Sequence, residues 1–500
     1  MSRYVFDIEG NNLYKDITKV HCIRAYDVDT NVMHRFDQDN EPIFRGLKLL
    51  EEADELIGHN IIGFDLPSLH KLFPKFRGWK GVKTFDTIIV SKLACATIDR
   101  TDMLRVKEGK LPSSLIGSHG LKAWGYRLGE FKGEYGEKHK GESETDYNNR
   151  VWANYSKEMA DYCEQDVITN YKLYLHLLKE IEWRQTPQKA IDIEHKFATI
   201  ISRQERHGVT FDIVKAEALE KKLRTEAEEA LEILRTTYKP KWFIKKAING
   251  ISIEVDGVEY HDIKEAKLNR KKKIECPITG KVINSTNAIQ GALSIDVSLE
   301  TFNPNSSNHV IRWLTEDFGW IPTEFTDKGT PKTDADTLSV LTFDGIELLQ
   351  RYQMLLKRLS QLSDGKGALL NKFDRSTGKI YGRCDTLGAV TRRCTHSSPN
   401  MAQIPSNTAE YGTNFRELCT VPSGYKLVGA DASGLELRTL AHYLYMFDGG
   451  EYAKVVLNGD IHWKNCMDAG FIAQGIKRDK HNPEHDVVRG DAKTFIYAFL

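Results

Sequence analysis

Lys426 to Leu444, KLVGADASGLELRTLAHYL, restricts the fold more than any other stretch, because it joins a short apolar run to an amphipathic helix with an acid at the junction. Leu427, Val428 and Ala430 suit a short buried strand, and Asp431 would stand at its end. Ser433 then fits a helix N-cap, and Leu437, Leu440, Ala441 and Leu444 fall on one helical face. A carboxylate at a strand end beside a helix N-terminus can hold a divalent cation next to a phosphate. The pattern equally fits an aspartate that only caps the helix.

Downstream, Arg489, Lys493 and Tyr497 in VVRGDAKTFIYAFL recur at i, i+4 and i+8, so two cations and a ring share one helix face. Gly459-Asp460-Ile461-His462 lies between the two stretches and adds an imidazole. Together these segments resemble motif A, the Asp-Ile-His element and motif B of the family A DNA polymerases, most closely the phage replicative branch. The resemblance implies that Asp431 and the carbonyl of Ala432 hold metal ions that bridge a deoxynucleoside triphosphate and the primer 3′-hydroxyl. Arg489, Lys493 and His462 would bind triphosphate oxygens, Glu436 would exclude a ribose 2′-hydroxyl, and Tyr497 would contact the 3′ side of the sugar.

The N-terminal Arg3-Tyr4-Val5-Phe6-Asp7-Ile8-Glu9 has strand periodicity, which puts Asp7 and Glu9 on the same face. Two such carboxylates repel unless a cation or proton bridges them, although Asp-x-Glu is also common in solvated strands. Leu56 to Pro67 reads as strand, turn and helix start, with Asp65 at the helix N-terminus. Asp86, before another apolar helix, reads as a cap rather than a ligand. In a helix around Asp161 to Ile181, Tyr162 and Asp166 project from one face. This order of acids and tyrosine resembles the proofreading 3′-5′ exonucleases, as does Leu121 to Gly129 for the phage type. The likeness implies an RNase H-like fold, with Asp7, Glu9, Asp65 and Asp166 as ligands of two magnesium or manganese ions and Tyr162 orienting the attacking water. Hard divalent ions prefer such carboxylate oxygens, and a pair of them about 4 Å apart suits phosphodiester hydrolysis.

Five hundred residues imply several domains. The 70 basic and 70 acidic residues argue against a chain that coats nucleic acid nonspecifically, while allowing local basic grooves. Eight cysteines without paired zinc-type spacing suggest reduced thiols in a cytoplasmic setting and argue against structural zinc. No stretch approaches the ~20 apolar residues of a membrane span.

A polar break with Pro187 precedes a long helix ending at Gly208, followed by helix formers over Val214 to Thr236 and again from Gly345 to Leu362. In the family such helices form the thumb that straddles primer and template. Between them, residues 238–300 carry the basic run Arg270-Lys271-Lys272-Lys273, which fits a solvated surface or a phosphate contact, while the segment resembles in position and size the phage-type thumb insertion, which implies a thioredoxin-like processivity factor as partner. Gly388 to Arg393 and Pro399 to Pro405 resemble the family block near the insertion site, where Arg393 would reach the primer minor groove and Gln403 the substrate. Arg392 stands where the family has glycine, and either an altered backbone approach or an added phosphate contact would follow.

The expected architecture is therefore multidomain, α/β plus α+β. It comprises a 3′-5′ exonuclease domain over 1–185, an entry helix over 186–212, a thumb over 213–379, the first part of a palm over 380–448 and the start of fingers over 449–500. The expected partners are primer-template DNA, single-stranded DNA and deoxynucleoside triphosphates, with two metal ions at each active site. Leu500 falls inside motif B, before the second palm aspartate, so these residues alone are not expected to polymerise. A truncated record, a separate C-terminal polymerase chain, and a degenerate polymerase that retains only exonuclease activity are the three explanations. A noncatalytic replisome subunit is the reading from outside enzymology, and the intact acids and Tyr162 argue against it.

Overall fold

A two-residue apolar period makes Arg3–Gly10 (β1) the central strand of a five-stranded sheet, with Phe6 and Ile8 buried on one face and Asp7 and Glu9 half-buried on the other. The structure, a computed structural model, describes all residues except 1, 79–80, 131–134, 137, 140, 247–252, 256–257, 261–272, 276–281, 285–295, 480 and 500, with backbone only for 144, 242–246, 253–255, 258–260, 273–275, 282–284, 296–298, 497 and 499. The chain divides into two compact units, Met1–Pro422 and Ser423–Leu500.

In the first unit, β2 (Val20–Asp27) and β3 (Met33–Phe36) extend the sheet antiparallel on one side of β1. On the other side β4 (Glu55–Gly58) and β5 (Lys83–Asp86) run parallel to it, giving the order β3-β2-β1-β4-β5. Helices α1 (Ile43–Glu51), α2 (Asp65–Leu72) and α3 (Thr87–Ala94) connect these strands or follow them. Then come α4 (Ile98–Lys107), α5 (Leu121–Leu128), α6 (Glu144–Val151) and α7 (Lys157–Trp183). Helix α7 packs on β1 and β2, and buries Val167, Leu173, Tyr174 and Leu177 in the same core as Phe6, Leu56 and Ile57.

Arg127, in the Leu121 to Gly129 stretch, has a structural role. Its Nε and Nη2 donate to Asp102 Oδ1 and Oδ2 at 3.0 and 2.7 Å, and both side chains are inaccessible to solvent. Asp102 also accepts from the Gly117 N–H, and the Arg127 guanidinium stacks on Trp124.

Helix α8 (Gln188–His207) starts after Pro187 and stops at Gly208, whose φ of +66° favours glycine. A Cβ there would also sit 2.7 Å from the Tyr381 ring. Beyond it lie β6 (Val209–Phe211) and the long α9 (Ile213–Thr237). Helix α9 packs along α12 (Ile346–Leu359), burying Leu219, Leu223, Leu349 and Leu355, with α10 (Ser307–Phe318) and α11 (Ala335–Ser339) between them in the chain. The two long helices expected from the sequence are thus present. Strand β7 (Lys241–Lys246) pairs antiparallel with Asp296–Glu300, so the two ends of the intervening segment meet. The Arg270 to Lys272 run lies outside the described residues, as does the Lys273 side chain. The short α13 (Gly412–Glu417) closes this unit.

The second unit holds α14 (Leu435–Asp448), α15 (Glu451–Asn458), α16 (Ile461–Asp468) and α17 (Pro483–Phe499). The strand expected over Leu427 to Ala430 does not form: the segment is irregular, and Leu427 and Val428 are 71% and 85% exposed. Backbone polar groups in a strand need a neighbouring strand, and none lies among the described residues of this unit. Ser433 is not the cap either. Gly434, in a left-handed conformation, takes that position without a side-chain bond, while the Ser433 carbonyl accepts from Arg438 Nε. The expected apolar face of α14 is present, with Leu437 and Ala441 buried. Among the described residues no helix is long and apolar enough to cross a membrane.

Removing one partner from the Arg127–Asp102 pair strands a buried charge. Asp102→Ala should cost about 3 kcal/mol or more in denaturant unfolding; a loss typical of an exposed ion pair, below about 1 kcal/mol, would show that the pair is not the anchor of this motif.

Candidate active sites

Four acids from three different elements meet beside β1. Asp7 and Glu9 project from the strand itself. Asp65, in the first turn of α2 and only 2% exposed, accepts the Ile8 N–H at 3.2 Å and shares a hydrogen bond with Asp7. Asp166, 6% exposed on α7, accepts from the Tyr162 hydroxyl one helical turn earlier. Burial, then the charges of Asp166, Glu9 and Asp7, push the Tyr162 phenol far above its ordinary range, so it remains a hydrogen-bond donor. The structure therefore brings Asp7, Glu9, Asp65, Tyr162 and Asp166 together.

Burial pushes the Asp65 carboxyl up to about 7, against the opposing Ile8 N–H. A buried carboxyl that retains its proton near neutrality beside further carboxylates fits a divalent cation, whose charge would favour the ionised form. Asp86 is a different case: it accepts the N–H groups of Asn60, Ile62 and Ile88 and caps α3, as its sequence context indicated.

One donor in this cluster had no counterpart in the sequence reading. Cys163, fully buried on α7, places its Sγ with the carboxylate oxygens of Asp7 and Glu9. The only available signal was its position one residue after Tyr162, and a lone helical cysteine ordinarily signifies packing.

In the second unit, Asp460 organises the cationic residues. It caps α16 through the Trp463 N–H, and its carboxylate accepts Arg489 Nε at 2.8 Å and Arg478 Nη1 at 3.0 Å. His462 is buried two residues further on. Burial, with Arg489 and then Lys493 nearby, holds its imidazole below the ordinary range, hence neutral. His462, Arg489 and Lys493 are thereby neighbours, with Arg489 and Lys493 on one face of α17. Asp431 and Ala432 stand in the exposed irregular segment, and Glu436 is exposed in the first turn of α14. Among the described residues no hydrogen bond or ion pair joins Asp431 to Arg489 or Lys493. The Tyr497 side chain lies outside the described residues.

Arg393 and Gln403 are exposed in the first unit, and the Gln403 carbonyl accepts from Gln361. Arg392 has φ +63° in a turn closed by its N–H to the Ala389 carbonyl at 2.8 Å. This left-handed backbone is one that glycine adopts without strain and a Cβ residue adopts at about 1–2 kcal/mol. The Arg392 charge also acts on Glu194 of α8, partly offsetting the burial that pushes that carboxyl up.

Because Asp65 is raised in the fold, its contribution to stability is fully present below the ordinary carboxylate range and is lost as pH rises through about 7. In chelator the melting temperature should therefore fall as pH rises from about 5 to about 8, and magnesium should restore more of it at the alkaline end. In Asp65→Asn the chelator curve should flatten; an unchanged slope in that variant would assign the titration elsewhere.

A model of the DNA polymerase family A matches residues 280–499. The DNA-directed DNA polymerases of Enterobacteria phage T3 and Escherichia phage T7 are each 34% identical to this chain, across 99% of it and 75% of their own length. A solved structure described as the POL domain of Pol1 from M. smegmatis in complex with DNA primer-template and dNTP aligns with a TM-score of 0.62 at 17% identity, covering 100% of this chain and 67% of that one. That likeness concerns the fold alone. Identity sustained over nearly the whole chain, with the family motifs in order, makes this protein a member of the family A DNA polymerases, of the T7 phage type.

Proposed function

We propose that this chain is a template-directed DNA polymerase polypeptide that carries its own 3′-5′ proofreading exonuclease. The observation that carries the exonuclease reading is the convergence of Asp7, Glu9, Asp65 and Asp166 with Tyr162. The strand order β3-β2-β1-β4-β5, with the last two strands parallel to β1, supports an RNase H-like assignment for residues 1–185. Residues 213–379 then serve as thumb, 380–448 as the first part of the palm and 449–500 as the start of the fingers.

In the exonuclease centre Asp7, Glu9, Asp65 and Asp166 would hold two magnesium or manganese ions. Such ions, when bound, supply charge neutralisation for phosphodiester hydrolysis. Tyr162, kept protonated and donating a hydrogen bond to Asp166, orients the attacking water by accepting from it at the hydroxyl oxygen. Ile8 N–H and the helix start fix the Asp65 carboxylate, so the acid does not reorganise during the reaction.

For nucleotide addition, Arg489, Lys493 and neutral His462 grip the triphosphate, and Asp460 sets the guanidinium direction through Nε. Asp431, with the Ala432 carbonyl, would hold metal in the palm and so supply charge neutralisation for the transfer. Glu436 selects deoxyribose, Tyr497 contacts its 3′ side, and Arg393 and Gln403 contact primer and template. DNA and deoxynucleoside triphosphates are accordingly the substrates. The segment between β7 and Asp296–Glu300 is proposed to dock a thioredoxin-like processivity factor, supported by its antiparallel closure at the thumb.

Two assays separate the halves. Magnesium-dependent shortening of single-stranded DNA from the 3′ end should fall more than about 100-fold in Asp7→Ala, whereas nucleotide affinity should be unchanged in that variant. Arg489→Ala should weaken triphosphate binding by about 2 kcal/mol, roughly thirtyfold, and leave digestion intact; no digestion by the unaltered chain would remove the exonuclease. Thioredoxin should be retained on immobilised full chain and lost when residues 247–295 are replaced by a short linker, and equal retention by both would place the factor elsewhere.

A further inference from the structure

We propose that Cys163 makes the acid cluster beside β1 a thiophilic metal site, in which its thiolate joins Asp7 and Glu9 on a borderline or soft divalent ion such as zinc or cadmium and so determines which cations the centre accepts. The functional consequence rests on the exonuclease reading above; the ion binding does not.

Distances carry the argument. Ligand atoms of Asp7, Glu9 and Cys163 all lie within 4.8 Å of one another, and this is the only such group among the described residues. Cys163 Sγ is 3.6 Å from the Asp7 carbonyl and 4.0 Å from Asp7 Oδ2. Zinc takes sulfur at about 2.3 Å and carboxylate oxygen at about 2.0–2.2 Å, so donors at these separations can share one ion after small side-chain adjustments.

The elements around the sulfur hold it in place. Cys163 follows Tyr162 on α7, which packs against β1 and β2, and Cys22 sits directly opposite Glu9 in the antiparallel register. The two thiols are hydrogen-bonded to each other, and Cys22, Ala160 and Cys163 form a small buried cluster. A second sulfur thus contacts the first on the face of the sheet that carries Glu9. Binding forms a metal–sulfur bond, breaks the S–H bond and releases one proton to the buffer.

Chemical softness then separates the cations. Magnesium gains little from sulfur and keeps to carboxylate oxygen, whereas a thiophilic ion uses all three donors and is held more tightly. Occupancy of Asp7 and Glu9 by that ion excludes the magnesium needed for hydrolysis. Cys163 is in this sense a specificity residue, and zinc or cadmium becomes an inhibitor whose potency depends on it.

Cadmium reports thiolate ligation directly through an ultraviolet charge-transfer band. Because the chain has eight cysteines, the measurement is a difference titration of the full-length reduced protein against Cys163→Ser, with folding of each variant checked by circular dichroism. The expected result is a saturating one-equivalent band present in the unaltered protein, absent in Cys163→Ser, and at least roughly tenfold weaker in affinity in Glu9→Gln. Release of one proton should accompany it in weakly buffered solution. Persistence of the band in Cys163→Ser, its absence from the unaltered protein, or indifference to Glu9→Gln would each overturn the proposal. Magnesium-dependent digestion assayed alongside separates the two claims: a cadmium band without digestion leaves the metal site standing and removes only the exonuclease, while digestion without the band does the reverse. Where both are present, zinc should inhibit digestion at roughly tenfold lower concentration than in Cys163→Ser.

Discussion

Negative charge held against a sheet is the constraint around which the first lobe is arranged. Asp7 and Glu9 share a face of β1 because a strand alternates its side chains, and Asp65 and Asp166 reach the same place from α2 and α7. Four acids in so small a volume repel one another; the fold supplies an N–H from Ile8 and a donor hydroxyl from Tyr162, and burial keeps a proton on Asp65 near neutrality. The packing of α7 over β1 and β2 keeps the acids in place despite that repulsion. Hydrophobic burial thus holds an arrangement that electrostatics alone would disperse.

Opposite charge organises the second unit. Asp460 caps a helix and simultaneously receives two guanidinium groups, so a residue flanking the predicted imidazole fixes the direction of the predicted arginine. The start of α16 and the two guanidinium groups are consequently linked through one carboxylate. A buried neutral His462 next to Arg489 and Lys493 offers directional hydrogen bonding where a third cation would only add repulsion.

Helices were the most legible part of the sequence. The faces of α7, α9, α12 and α17 follow the 3.6-residue period, and Gly208 ends α8 where a left-handed backbone and the close Tyr381 ring leave no room for a Cβ. The run Leu427 to Ala430 was misleading because apolarity indicates burial only when a partner surface is present. Ser433 was misleading for a related reason: a capping residue is chosen by backbone direction, and the chain enters α14 through left-handed Gly434. At Arg392 the sequence showed a departure from glycine but not its cost, which depends on a φ of +63°.

The sequence alone determined the family, the acids of the first lobe, the tyrosine one turn before Asp166 and the spacing of Arg489 and Lys493, because periodicity and motif order are properties of the linear chain. Only tertiary structure decided which groups share a volume. It brought Asp65 against Asp7, tied Arg489 to Asp460, turned Arg127 inward onto Asp102, and set a thiol from α7 beside two carboxylates of β1. Those contacts join residues far apart in the sequence or across a turn, where no local pattern encodes distance, and it is distance that sets the strength of each charge upon the next.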